Sequence, residues 1–451
     1  MTFDTVIRDG TLVDPGWGLV RGDLAIQDGR IAGVVNPHTP VEAATVIDAT
    51  GKYVFPGVVD PHTHVGLGAE ERDLATETAA AALGGVTTLF TYLLNSGPYD
   101  ELYARYREAG ERLAHIDFGF HFGIVLDEHI RDLARFRSDY GVTSFKFFMS
   151  FRGEEGAYLN VAGVDDGLMY DFFSALAAHA GTITAVHPEN IEVVWRLRRR
   201  LQQAGREDLE AWTASRPGFV EAENTLRALI FAEATGAKIY IPHISGKAAL
   251  DEVRRFRPRH GDFFVETCPH YLTHTVRDFR DNVGKVNPPL RYAEDLDALW
   301  RGIFDGTIHV VASDHVPRKL ATKQATVWKA SAGFPGTGLI LPVLLSEGVH
   351  RRGLPLVRVA ELTARNPAQI YGLYPRKGTL QVGADADLAI VDLDAERAVH
   401  HADLGSFSDY TLYEGWRLRG WPVLTVVRGT IVMQDRKVVG PPGHGRYLAR
   451  A

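Results

Sequence analysis

Two histidines stand two residues apart in the run Asp60-Pro61-His62-Thr63-His64. On an extended segment residues i and i+2 share a face, so both imidazoles can reach one ion. Such pairs also occur on strands that face solvent, and one pair alone is a weak sign. Three further residues of ligand type close apolar runs: His187 in VHPEN, His243 in IPHIS and Asp314 in ASDHVP. Each alone reads more readily as a packed histidine or a helix-capping aspartate. Together, at the ends of strand-like runs, they read as one constellation. Lys146 lies inside SFKFFM, an otherwise apolar segment. A buried ammonium is costly, so this lysine either snorkels to the strand end or has a chemical task. With Cys268 as the one cysteine, neither an intramolecular disulfide nor a thiolate cage can form, and any metal must be held by nitrogen and oxygen.

The elements that must position these groups are legible as hydrophobic runs. Apolar, β-branched or aromatic stretches cover 53–60, 86–93, 117–125, 142–149, 182–187, 237–244, 262–268 and 308–313. Stretches with helical spacing lie between them, such as LATETAAAALGG, YDFFSALAAHAG and AENTLRALIFAEATG, each ending at or near glycine. Eight strands alternating with helices predict an α/β fold, a (β/α)8 TIM barrel over 56–374, with reactive groups at the C-terminal strand ends. Residues 1–55 and 375–451 alternate apolar and polar positions instead, and Asp28-Gly29 is a hairpin signal. The two ends together predict a small β-sandwich domain.

Bulk properties narrow the partners. The chain has 451 residues, 45% hydrophobic and 23% charged, which is globular composition. A net charge of −7 argues against nucleic acid and anionic membranes. The basic run from Arg196 to Arg200 falls on a helical stretch and reads as a solvated face. The N-terminus has neither a basic n-region nor an apolar h-region, and no apolar run reaches membrane-spanning length. The expectation is a cytoplasmic protein.

The chain resembles the amidohydrolase superfamily, in its hydantoinase, dihydropyrimidinase, allantoinase and dihydroorotase group. The likeness runs nearly end to end. It is carried by FPGVVDPHTH (55–64), GGVTTLF (84–90), SFKFFMS (144–150), AVHPEN (185–190), IPHISG (241–246), ETCPHYL (266–272), NPPLR (287–291), ASDHVP (312–317), NPAQIYGLYPRKGTL (366–380) and VGADADLAIVD (382–392). The resemblance implies two divalent metal ions, usually zinc, with cobalt or manganese as substitutes. His62 and His64 would hold one and His187 and His243 the other. Lys146, carbamylated by CO2, would bridge both, and Asp314 would ligate the first and handle the proton. Two cations about 3.5–4 Å apart acidify a bridging water, one polarises the scissile carbonyl, and Asp314 serves as general acid and base. The implied reaction is hydrolytic opening of a cyclic ureide or imide.

Departures from the family pattern bear on the substrate. Dihydroorotases carry an Arg two residues after the second strand-one histidine; here that residue is Gly66. Hydantoinases and dihydropyrimidinases carry a Tyr five residues after the bridging Lys; here it is Phe151, which has no donor. Where they place Asn in the loop after strand eight, this chain has Ala332. YLLNSGP resembles the allantoinase strand-two end, with Asn95 as a substrate contact, while IYGLYPRKG resembles hydantoinases. Asn287 in NPPLR is a further expected contact, and His270 reads as a packing histidine. His315 reads as a support for a ligand or as a structural residue. The principal reading is a hydantoinase-like cyclic amidohydrolase and the alternative an allantoinase. A dihydroorotase or a non-catalytic dihydropyrimidinase-related scaffold is more remote. Family precedent implies a homo-oligomer, tetramer or dimer, with the tail after Gly440 packing on a neighbour.

Overall fold

A computed structural model describes residues 2–37, 39–157, 163–259 and 261–450. The chain begins with β1 (Phe3–Asp14), β2 (Gly18–Gln27), β3 (Arg30–Val35), β4 (Ala43–Asp48) and β5 (Tyr53–Pro56). A second series follows: β6 (Val58–Thr63), β7 (Val86–Leu93), β8 (Asp117–Gly123), β9 (Ser144–Phe148), β10 (Ile183–His187), β11 (Ile239–Ile241), β12 (Phe263–Thr267) and β13 (Val310–Val311). The chain closes with β14 (Leu388–Ala398), β15 (Arg417–Val427), β16 (Thr430–Gln434) and β17 (Lys437–Val438).

These strands form two sheets. One has nine strands in the order β17-β16-β15-β14-β5-β1-β2-β3, with β4 on β1, so the two ends of the chain share one mixed sheet. The other has eight strands in sequence order from β6 to β13. Helices such as Asp73–Leu83, Asp166–Ala177 and Gly218–Thr235 fall between its strands. This is the (β/α)8 class that the eight apolar runs predict. The hairpin signal is realised too: Asp28 (φ 52°) and Gly29 (φ 73°) turn β2 into β3, both with the positive φ that a type I′ turn demands.

By contact density the chain divides into two units. One comprises Met1–Phe90, Glu108–Gly119 and Gly336–Leu448; the other comprises Thr91–Arg107, Phe120–Pro335 and Ala449–Ala451. The first unit contains the nine-stranded sheet. Its apolar core joins Ile7, Leu12, Leu24, Val54, Leu388 and Val426 from both chain ends. Gly57 marks the switch from β5 to β6. Its N–H donates to the Asp387 carbonyl at 2.8 Å, and a Cβ there would meet Thr87 Oγ1 at 2.2 Å. Only glycine fits so close an approach. The tail is bonded within this unit: Gly445 N–H donates to Ala114 and Leu448 N–H to Phe118. The tail expected on a neighbour thus packs at least in part on its own chain.

A buried ion network ties the same unit together. Lys377 Nζ lies 2.6 Å from Asp117, 2.6 Å from Asp387 and 3.0 Å from Asp385. Its side chain is 1% exposed, so removing it strands carboxylates away from water. Lys377→Met is expected to destabilise the protein by about 3–5 kcal/mol. Lys52→Met, which breaks the half-exposed 2.6 Å pair with Asp392, should cost less than about 1 kcal/mol. Denaturant titration of the two variants checks the contrast, and equal losses would contradict it.

The second unit carries β9 to β13 and their helices. Among the described residues of either unit, no helix is long and apolar enough to cross a membrane.

Candidate metal centre and active site

In the first unit, His62 and His64 lie at the C-terminal end of β6, with ring centroids 5.4 Å apart. His62 is fully buried and His64 partly so. The strand end is fixed from behind. Asp60 accepts from the His62 N–H at 3.3 Å and from Thr337 Oγ1 at 2.8 Å. Beyond His64 the loop is gathered by Asp73, whose carboxylate accepts the N–H groups of Gly66, Gly68 and Ala69 at 3.0, 2.8 and 2.7 Å. Burial raises the Asp73 carboxyl above its ordinary value despite these bonds. Gly66 has φ 112°, a conformation that L side chains rarely adopt. The backbone therefore disfavours the arginine that a dihydroorotase places there.

In the second unit, Lys146 lies fully buried on β9. Its Nζ has no hydrogen-bond partner among the described residues and sits over the rings of Tyr92 and Phe148, 4.7 and 5.1 Å from their centroids. Burial pulls the amine down to about 8, against the pull of Asp314 and Glu266. A neutral amine is the form that adds CO2.

His187 ends β10 and His243 follows β11 by two residues. His187 Nδ1 and His243 Nε2 face one another at 2.9 Å, and His187 Nε2 bonds to Glu189 at 2.8 Å. Burial lowers the His187 imidazole below its ordinary value, which favours the neutral ring that ligates metals. Burial alone would raise the Glu189 carboxyl, but Arg216 and His187 outweigh it and hold it below the usual range. Glu266 accepts from the His243 N–H at 2.9 Å and from Tyr240 Oη at 2.7 Å. Asp314 follows β13 and is 5% exposed. His243 (φ 41°) and Asp314 (φ 50°) both have left-handed backbone, which is uncommon for residues other than glycine.

The expected substrate contacts are placed as follows. Phe151 stacks on Phe148 with centroids 4.1 Å apart, and Phe148 in turn lies 5.8 Å from the His187 ring. Asn287 begins a cis Asn287–Pro288 bond, and its Oδ1 accepts from Arg216 Nε at 3.2 Å. Asn95 is engaged locally, its amide donating to the Pro98 carbonyl at 2.6 Å. His270 is buried against Tyr271 and Phe334. His315 is buried too, its N–H donating to Ser313 Oγ. Glu189, Arg216, Glu266 and Asp73 went unassigned in the sequence. Glu189 and Glu266 stand inside quoted motifs, but a carboxylate's burial depends on partners distant in the chain.

Lys285, two residues before Asn287, is 3% exposed, donates to the Ala330 carbonyl at 2.5 Å and lies over the Trp212 ring. Burial, reinforced by Arg216 and Arg198, pulls it down to about 7. The folded protein thus favours the neutral amine, and the unfolded chain holds the extra proton from about pH 7 to about 10.4. Protonation opposes folding, so this group makes stability rise with pH across that window. Lys285→Met should flatten the rise. Melting temperatures of variant and wild type at about pH 7 and about pH 9.5 test it, and identical slopes would contradict it.

Comparison with known proteins places the chain. The amidohydrolase family model matches residues 271–432. An L-hydantoinase from Paenarthrobacter aurescens is 33% identical over 460 residues, covering 99% of this chain and 98% of the relative. A D-hydantoinase from Ralstonia pickettii is 34% identical over 465 residues, covering 99% of each. Among solved structures, a D-hydantoinase superposes with a TM-score of 0.92 at 33% identity, covering 99% of both chains. A dihydropyrimidinase from Brevibacillus agri NCHU1002 gives 0.92 at 29%, covering 99% of this chain and 98% of that one. The chain belongs to the amidohydrolase family. Within it the chain falls in the hydantoinase group, and it is a hydrolase acting on cyclic amides. Consistent with divalent metal binding in that family, His62 and His64 of the first unit and Asp314 of the second are nitrogen and oxygen donors of the types that hold such ions.

Proposed function

We propose that this chain opens the ring of a hydantoin or dihydropyrimidine with two divalent ions, most simply zinc, held by His62, His64, Lys146, His187, His243 and Asp314. The observation that carries the reading is the fully buried Lys146 amine, which has no hydrogen-bond partner among the described residues, in a chain alike from end to end to hydantoinases. A cation is a poor occupant of that position. Conversion to the carbamate with CO2 replaces it with an anion that offers two oxygens. The remaining donors are imidazoles and a carboxylate, which suit zinc, with cobalt or manganese as substitutes. The reading takes 56–374 as the catalytic barrel, and the chain as a cytoplasmic homo-oligomer, tetramer or dimer.

When bound, the ions supply a water nucleophile at neutral pH and polarise the scissile carbonyl. Asp314 takes the proton from the attacking water and returns it to the ring nitrogen as the C–N bond breaks. A hydantoin then leaves as an N-carbamoyl amino acid, with one water consumed. His187, held by Glu189, and His243, held through its backbone by Glu266, keep their rings fixed during the reaction. Phe151 offers no donor to the oxyanion, and its stack on Phe148 gives the substrate an apolar wall. Asn95 and Asn287 mark the turns that face the ring; with Oδ1 of Asn287 taken by Arg216, its backbone is the free recognition element.

The purified protein, tested against hydantoin, 5-phenylhydantoin, dihydrouracil, allantoin and dihydroorotate, should favour the hydantoins or dihydrouracil. A preference for allantoin would support the alternative reading. A preference for dihydroorotate would refute the argument from Gly66.

A further inference from the structure

Behind His187 the contact with Glu189 continues into a longer chain of buried polar groups that reaches the Asn287 turn. Glu189 Oε2 lies 2.8 Å from His187 Nε2, and Glu189 Oε1 lies 3.5 Å from Arg216 Nε. His187, Glu189 and Arg216 are 6%, 2% and 3% exposed. A carboxylate accepting from Nε2–H fixes the tautomer that leaves the lone pair on Nδ1. Nδ1 is the nitrogen that faces His243 Nε2 at 2.9 Å. Arg216 reaches further than Glu189. Its Nε also donates to Asn287 Oδ1 at 3.2 Å, its guanidinium packs 3.9 Å from the Trp212 ring centroid, and its carbonyl accepts from Arg291. Arg291 is itself paired with Glu221 at 3.0 Å, so the backbone that carries Arg216 is anchored too.

We propose that Glu189 and Arg216 are positioning residues, Glu189 setting the tautomer and aim of His187 and Arg216 coupling that ring to the Asn287 turn. The inference rests on the reading of His187 and His243 as ligands of one ion. It adds that metal affinity at this pair and substrate affinity at the turn share one guanidinium. Altering Arg216 therefore moves both quantities, whereas altering Glu189 moves chiefly the metal.

The test compares wild type, Glu189→Gln, Glu189→Asp and Arg216→Lys by zinc content, competition with a zinc chelator, melting temperature and steady-state kinetics. Glu189→Gln keeps the shape and removes the charge; Glu189→Asp keeps the charge and withdraws it from His187. In all three variants one zinc should bind about 10–100-fold more weakly while the other is held as in wild type. KM should rise several-fold in Arg216→Lys and stay near wild type in Glu189→Asp. Wild-type zinc affinity in both Glu189 variants overturns the role of Glu189. Weaker zinc in Arg216→Lys without a change in KM overturns the coupling. A wild type that holds fewer than two ions refutes the proposed function instead, so the two failures are distinguishable. A fall in melting temperature with unchanged zinc affinity and KM marks a purely structural role and also overturns the inference.

Discussion

Lys146→Ala is expected to lower the bound metal from two ions per chain to one or none, and to slow ring opening by about a thousandfold or more. The magnitude follows from several kcal/mol of transition-state charge stabilisation supplied by such ions, at 1.36 kcal/mol per tenfold in rate. The fold should survive. Removing a buried amine that makes no hydrogen bond among the described residues relieves a desolvation cost, even though it leaves a cavity beside Tyr92 and Phe148. Metal analysis, circular dichroism and turnover on one preparation read all three effects. Intact-mass measurement of the wild type, prepared with bicarbonate, should show the added mass of CO2. Full metal content with undiminished turnover in the alanine variant would remove the bridging role.

Asp314→Asn is the second large effect. Asparagine keeps the shape and tolerates left-handed backbone, so the φ of 50° at this position imposes no new strain. It cannot accept the proton from water and pass it on. A positioned acid–base group contributes about 10²–10⁴-fold, so kcat should fall by that factor while KM changes little. A kcat within threefold of wild type would assign the proton transfer elsewhere.

The fold was legible because the eight barrel strands are buried on both faces and read as continuous apolar runs. Their lengths were less legible. The run 308–313 became a two-residue strand, Val310–Val311, and 237–244 became Ile239–Ile241, since apolar residues continue into buried loop segments. The ligand-type residues stood out because His and Lys are unusual at the ends of such runs. The groups behind them did not. Arg216 sits in an unremarkable SRPG segment, and its burial follows from Glu189 and Asn287, 27 and 71 positions away in the chain. Asn95 shows the converse limit: its residue type suits a substrate contact, yet its amide closes the turn to Pro98.

The left-handed backbone at His243 and Asp314 has a consequence for how this protein would respond to selection. Each such residue carries roughly 1 kcal/mol of conformational penalty that glycine would escape. Glycine at either position escapes that penalty but leaves a cavity in a buried site that costs more. Variants chosen by heat alone would therefore keep side chains of similar bulk there, asparagine at 314 among them, and only a screen that also demands turnover would retain the acid and the imidazole.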